Sequence, residues 1–77
     1  MKITIEYFGS HARNAGVVPG IGIQRTFSMP CNVGNLLKDI GIKEDTVIIS
    51  VNNVIRNIHH PLYDGDSVSV FDIMEGG

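Results

Sequence analysis

At 77 residues the chain has room for one domain with one modest core. Its 43% hydrophobic and 18% charged content belongs to a globular protein and not to a disordered one. The formal charge of −2, with six Lys and Arg residues scattered along the chain, leaves no basic stripe and argues against nucleic-acid binding.

Lys2, Thr4 and Glu6 alternate with Ile3, Ile5 and Tyr7, the period of a half-buried strand with Phe8 at its end. The same alternation lacks the unbroken apolar run of a signal peptide, and no segment is apolar enough to span a membrane. A cytoplasmic protein is expected. Gly9 stops the strand, and Ser10 is placed to cap a short helical turn through Asn14 and Ala15 that closes at Gly16. Pro19-Gly20 then breaks regular structure before a second strand from about Ile23 to Met29. Arg25 shares a face with Ile23 and Phe27, which predicts a position at the sheet margin.

After Pro30, Asn32 is a good N-cap, and Val33, Leu36, Leu37 and Ile40 form one apolar helical stripe closed by Gly41. A helix this short is stable only when packed on the sheet. Thr46 to Asn52 is dense in β-branched residues and reads as a covered strand. Asn52-Asn53 turns the chain into a short strand from Val54 to Ile58. Pro61 and the Asp64-Gly65-Asp66 turn introduce the last strand, Ser67 to Ile73. One sheet with one main helix on one face is the economical arrangement, an α+β fold with one bare sheet face.

Few residues offer chemistry. Cys31 is the single cysteine, which excludes an internal disulfide, and it reads as a small buried hydrophobe because no basic residue flanks it. Adjacent strand residues point to opposite faces, so His59 and His60 would not share a metal ion. Asp64 and Asp66 read as turn residues, since the later ligands of a calcium loop are missing. No Ser-His-Asp, Cys-His or phosphate-loop arrangement is present, so an independent enzyme is the weakest reading. In the last strand Val68 and Val70 share one face, while Phe71 and Ile73 share the other. With the helix on one face only, Phe71, Ile73, Met74 and Glu75 are the expected partner-binding residues, and ordinary core packing is the alternative for the apolar ones.

The sequence closes on Met74-Glu75-Gly76-Gly77. A diglycine has no Cβ to collide with the walls of a narrow enzyme channel, and its carboxylate can be the reacting group. The alternative for the dipeptide alone is a plain polar end. A body at 1–73 with a flexible tail at 74–77 is expected.

In this order and spacing the features resemble the β-grasp, ubiquitin-like sulfur carriers, namely the molybdopterin synthase small subunit and the thiamine-thiazole carrier. The resemblance rests on Gly76-Gly77 set behind a strand, the helix start Asn32-Val33-Gly34-Asn35-Leu36-Leu37, Val51-Asn52-Asn53, and Asp64-Gly65-Asp66. Tyr7-Phe8-Gly9 followed by Arg13 and Gly16 is closer to the molybdopterin branch, while Phe71 to Glu75 departs from that branch's aromatic and proline run. The resemblance implies a mixed sheet of four to five strands with one main helix, and a carrier that catalyses nothing itself and binds no cofactor. A partner adenylating enzyme, using ATP and Mg²⁺, would activate the Gly77 carboxylate, with Gly76 keeping the tail slender. A sulfur donor would convert it to a thiocarboxylate, and an acceptor such as the molybdopterin synthase large subunit would receive the sulfur. The alternatives are a thiamine carrier, a ubiquitin-like modifier or an interaction module.

Overall fold

The computed structural model of the chain describes residues 1–73. The N-terminal alternation forms β1, Lys2–Tyr7, with Ile3 and Ile5 fully buried. The short helix α1, Ser10–Ala15, follows, and Gly16 ends it in the left-handed conformation. Its start differs from the expectation. Ser10 is the first helical residue, the N-cap is Gly9, and no side-chain cap from the neighbouring sequence is made. The Ser10 N–H is instead donated to Asp72 Oδ2 at 2.8 Å. A carboxylate from the far end of the chain thus takes the acceptor's place, and an ionised acceptor makes the stronger bond.

β2, Gly22–Thr26, is shorter than the predicted strand. It pairs antiparallel with β1 and lies at the edge of the sheet, as Arg25 indicates. Phe27 lies beyond it, buried, and its N–H donates to Met1 O at 2.9 Å. Two very short strands escape any period-two pattern: β3, Cys31–Asn32, and β6, Pro61–Leu62, form a separate antiparallel ladder. Between them, Val33 and Gly34 donate their N–H groups to His60 O and Ile58 O, tying the later loop to the start of the main helix.

That helix, α2, spans Val33–Asp39. Asn32 Oδ1 accepts from the Asn35 N–H at 2.7 Å, and Asn35 Oδ1 accepts from the Asn32 N–H at 3.0 Å, a reciprocal capping box. Val33, Leu36 and Leu37 are buried and Ile40 is half-buried. A 3-10 turn at Glu44–Thr46 leads into β4, Val47–Val51. Asn52 and Asn53 then both take positive φ, 51° and 69°, which a two-residue type I′ hairpin requires. β5, Val54–Arg56, returns antiparallel to β4. β7, Ser67–Asp72, completes the sheet.

The five-stranded sheet has the order β2-β1-β7-β4-β5. Its central pair, β1 and β7, is parallel, and the other pairs are antiparallel. This is the mixed β-grasp sheet that the resemblance implies. Ile3, Ile5, Val68, Val70 and Ile49 form a single core with Val33, Leu36 and Leu37 of α2. Core burial of this kind contributes about 1.5–3 kcal/mol per large aliphatic side chain.

The turn residues behave as expected. Asp64 Oδ1 accepts the Lys2 N–H at 2.6 Å, and Asp66 accepts from Tyr63 N and Asn52 Nδ2. His59 and His60, weighed above as adjacent strand residues, are not in a strand. They lie in the turn between β5 and β6, where Asn57 Oδ1 accepts the His59 N–H. No helix among the described residues is long and apolar enough to cross a membrane.

Candidate functional site

Along β7 the side chains divide by parity. Val68 and Val70 are completely buried, whereas Phe71 is 36% and Ile73 is 42% exposed. The two residues singled out in the sequence therefore do sit on the face opposite α2. Met74, Glu75, Gly76 and Gly77 lie outside the described residues.

Two further aromatic and aliphatic side chains join this face. Ile48 of β4 is the register partner of Phe71 and is exposed. Phe8, just past β1, stacks on Phe71 with ring centroids 4.7 Å apart and planes 12° from parallel. Below them, the neighbouring register row pairs Ser69 with Ser50 and Ser50 with Ile55. Ser50 and Ser69 are small and buried, while Ile55 is strongly exposed. The result is an apolar surface of Phe8, Ile48, Phe71 and Ile55 around a shallow polar centre. Exposed apolar side chains grouped in this way mark interaction surfaces.

The end of β7 is fastened separately. Asp72 Oδ2 accepts the Ser10 N–H, and Asp72 Oδ1 lies 3.0 Å from His11 Nε2. That Oδ1 is shut off from solvent and has no aligned hydrogen bond, so its partner is the imidazole through charge, when His11 is protonated. The Ser10 hydrogen bonds, and secondarily the imidazole charge, hold the Asp72 carboxyl below the usual carboxylate range. Ile73 donates its N–H to Thr46 O at 3.3 Å.

Phe8, Ile48, Ile55 and Asp72 were not legible as site residues. The run Val47-Ile48-Ile49 is apolar at every position, so only the sheet order shows that Ile48 faces outward beside Phe71. The aromatic pair at Phe8 and Phe71 was present in the sequence, without any local spacing to connect the two.

Cys31 is buried, and burial first, then the nearby Asp39 charge, push its thiol pKa up, which keeps it a protonated core residue. Among the described residues no group of three His, Cys, Asp or Glu side chains is arranged to hold a metal.

The architecture and the open face define a ubiquitin-like β-grasp protein. The chain belongs to the ThiS family, a family of β-grasp sulfur carriers, whose pattern matches residues 5–77. Among solved structures, it is similar to a putative molybdopterin converting factor subunit 1 from Pyrococcus furiosus, with 25% identity and a TM-score of 0.79 over 96% of this chain and 99% of that one. Subunits 1 and 2 of the molybdopterin-converting factor of Helicobacter pylori 26695 form a complex whose matched chain gives 20% identity and a TM-score of 0.63, over 100% of each chain. Small archaeal modifier protein 1 of H. volcanii gives 16% identity and a TM-score of 0.76, over 95% of this chain and 98% of the other. These last two likenesses concern the fold. No curated protein matches the chain significantly.

Proposed function

We propose that this protein is a sulfur carrier for molybdopterin formation, with the Gly77 carboxylate as its reacting group. The observation that carries the reading is the family match, which extends through Gly76 and Gly77. The similarity to the Pyrococcus furiosus subunit favours the molybdopterin branch over the thiamine branch. A carboxylate is a poor electrophile because oxide would have to leave. In the proposed sequence a Gly77 oxygen attacks the α-phosphorus of ATP on a partner adenylating enzyme that also holds Mg²⁺. Pyrophosphate leaves and an acyl adenylate forms. A persulfide then attacks the acyl carbon and AMP leaves. A second thiol reduces the resulting acyl disulfide, releasing the thiocarboxylate and taking up the donor sulfur as a new disulfide.

The body's part is recognition. Phe71 and Ile73, with Phe8 and Ile48, present the surface on which the adenylating enzyme and a sulfur acceptor of the subunit 2 type would dock, one after the other. Met74 and Glu75 would contact the same partners, and Gly76 would let the tail thread to the active site. The test is the intact mass of the protein after expression with candidate adenylating enzymes. An oxygen-to-sulfur increment localised to Gly77 is the expected outcome. Mass-shifted conjugates through lysine, with no sulfur increment, would reassign the protein as a ubiquitin-like modifier.

A further inference from the structure

We propose that Asp72 is a positioning residue for activation of the C-terminus, acting with Gly9, Ser10 and His11 to lock the end of β7. The proposal rests on the carrier reading above. One carboxylate bridges two consecutive residues of α1: Oδ2 accepts the Ser10 N–H at 2.8 Å, and Oδ1 lies 3.0 Å from His11 Nε2. Space has been left for that approach. Gly9 sits at φ +62°, where L side chains are rare, and a Cβ there would come within 2.5 Å of Asp72 Oδ2.

The same short stretch of chain is held from its other side. Asp72 is the register partner of Val47, and Ile73 donates its N–H to Thr46 O at 3.3 Å. One residue earlier, Phe71 stacks on Phe8, immediately before Gly9. Phe71, Asp72 and Ile73 are thus gripped between the Phe8–His11 segment and the start of β4. The apolar core does not need this grip, since the apolar side chains that β7 buries are Val68 and Val70, on the face toward α2. A strand end that frayed back toward Ser69 would loosen the anchor of the reacting carboxylate and dilute that group at the partner's active site. A fixed root keeps the reach of the tail short and directed, and misplacement of about 1 Å can cost on the order of a hundredfold in rate.

The experiment compares Asp72→Ala, Asp72→Asn, Gly9→Ala and wild type as substrates of an adenylating enzyme that accepts the wild-type chain, by ATP–pyrophosphate exchange. Asp72→Ala and Gly9→Ala should each lower kcat about tenfold with KM within about twofold, and the double variant should be no worse than the worse single one. Asp72→Asn keeps an acceptor for the Ser10 N–H and should fall between Asp72→Ala and wild type. An unchanged kcat in folded Asp72→Ala overturns the proposal, and so does a raised KM at constant kcat, which would make Asp72 a docking contact. An independent readout is ¹⁵N relaxation without any partner. The order parameter of the Ile73 amide should drop in Asp72→Ala while that of Val68 stays fixed, and an unchanged Ile73 value overturns the grip. Failure of every candidate enzyme to adenylate wild type, with the relaxation result intact, would sink the carrier reading and leave the grip as a structural finding.

Discussion

Phe8 and Phe71 come from opposite ends of the chain and stack ring on ring on the sheet face that α2 leaves bare. The pair joins the close of β1 to the close of β7, so the two central, parallel strands end in one aromatic surface. An aromatic pair contributes about 0.5–1.5 kcal/mol beyond its buried area, too little to be what holds the core together.

Phe71→Ala loses this pair energy and the area of a side chain that is 36% exposed, so it should lower stability by about 1–3 kcal/mol. It should weaken partner binding much more. Leu36→Ala is the opposite case. Leu36 is fully buried in the core, and the substitution should cost about 2–5 kcal/mol. Thermal unfolding and partner titration of both variants separate the roles. A large fall in melting temperature for Phe71→Ala at unchanged affinity would place Phe71 in the core.

The capping box offers a local test. Asn32→Ala removes the acceptor for the Asn35 N–H at the start of α2, and should destabilise the protein by about 1 kcal/mol. Denaturant unfolding should show a lower midpoint at an unchanged slope. A midpoint equal to wild type would mean that water replaces the side chain without cost.

Asp72 gives a pH dependence with a definite sign. Its folded pKa is lowered, first by the Ser10 hydrogen bonds. The stability it contributes is thus fully present above the unfolded carboxyl value, about 3.9, and is lost as pH falls through the folded value. Wild type should exceed Asp72→Asn in melting temperature at neutral pH, with the two curves converging in acid. Parallel curves from neutral pH down to about pH 2 would show that the carboxylate contributes nothing through its charge.

Appending one alanine after Gly77 should abolish adenylation and leave the melting temperature unchanged, because the reacting carboxylate would be displaced and no described core residue is touched. Full adenylation of the extended protein would rule out the terminal carboxylate as the reacting group.

Much of the body was legible because its signals are local. Period-two alternation marked β1, the stripe from Val33 to Ile40 marked α2, and Asn52-Asn53 marked the hairpin, each through backbone geometry set within a few residues. The ladder of Cys31–Asn32 with Pro61–Leu62 was not legible, since two residues carry no period and their pairing partner is remote. The strand predicted from Val54 to Ile58 stops at Arg56, where its pairing with β4 ends, and a local pattern does not mark where a remote pairing partner runs out.

By itself, then, the sequence determined the kinds and order of the main elements, the parity of β7 that leaves Phe71 and Ile73 opposite the helix, and the kinship carried by its motifs. Tertiary structure alone decided which residues complete the surface and what grips the strand end. Phe8 meets Phe71, Ile48 lies beside it, and Asp72 reaches Ser10 and His11 only because β1, β7 and β4 are neighbours in the sheet. Local propensity acts over a turn or a pleat, whereas these contacts depend on strand order and register, which depend on how the whole chain closes around one core.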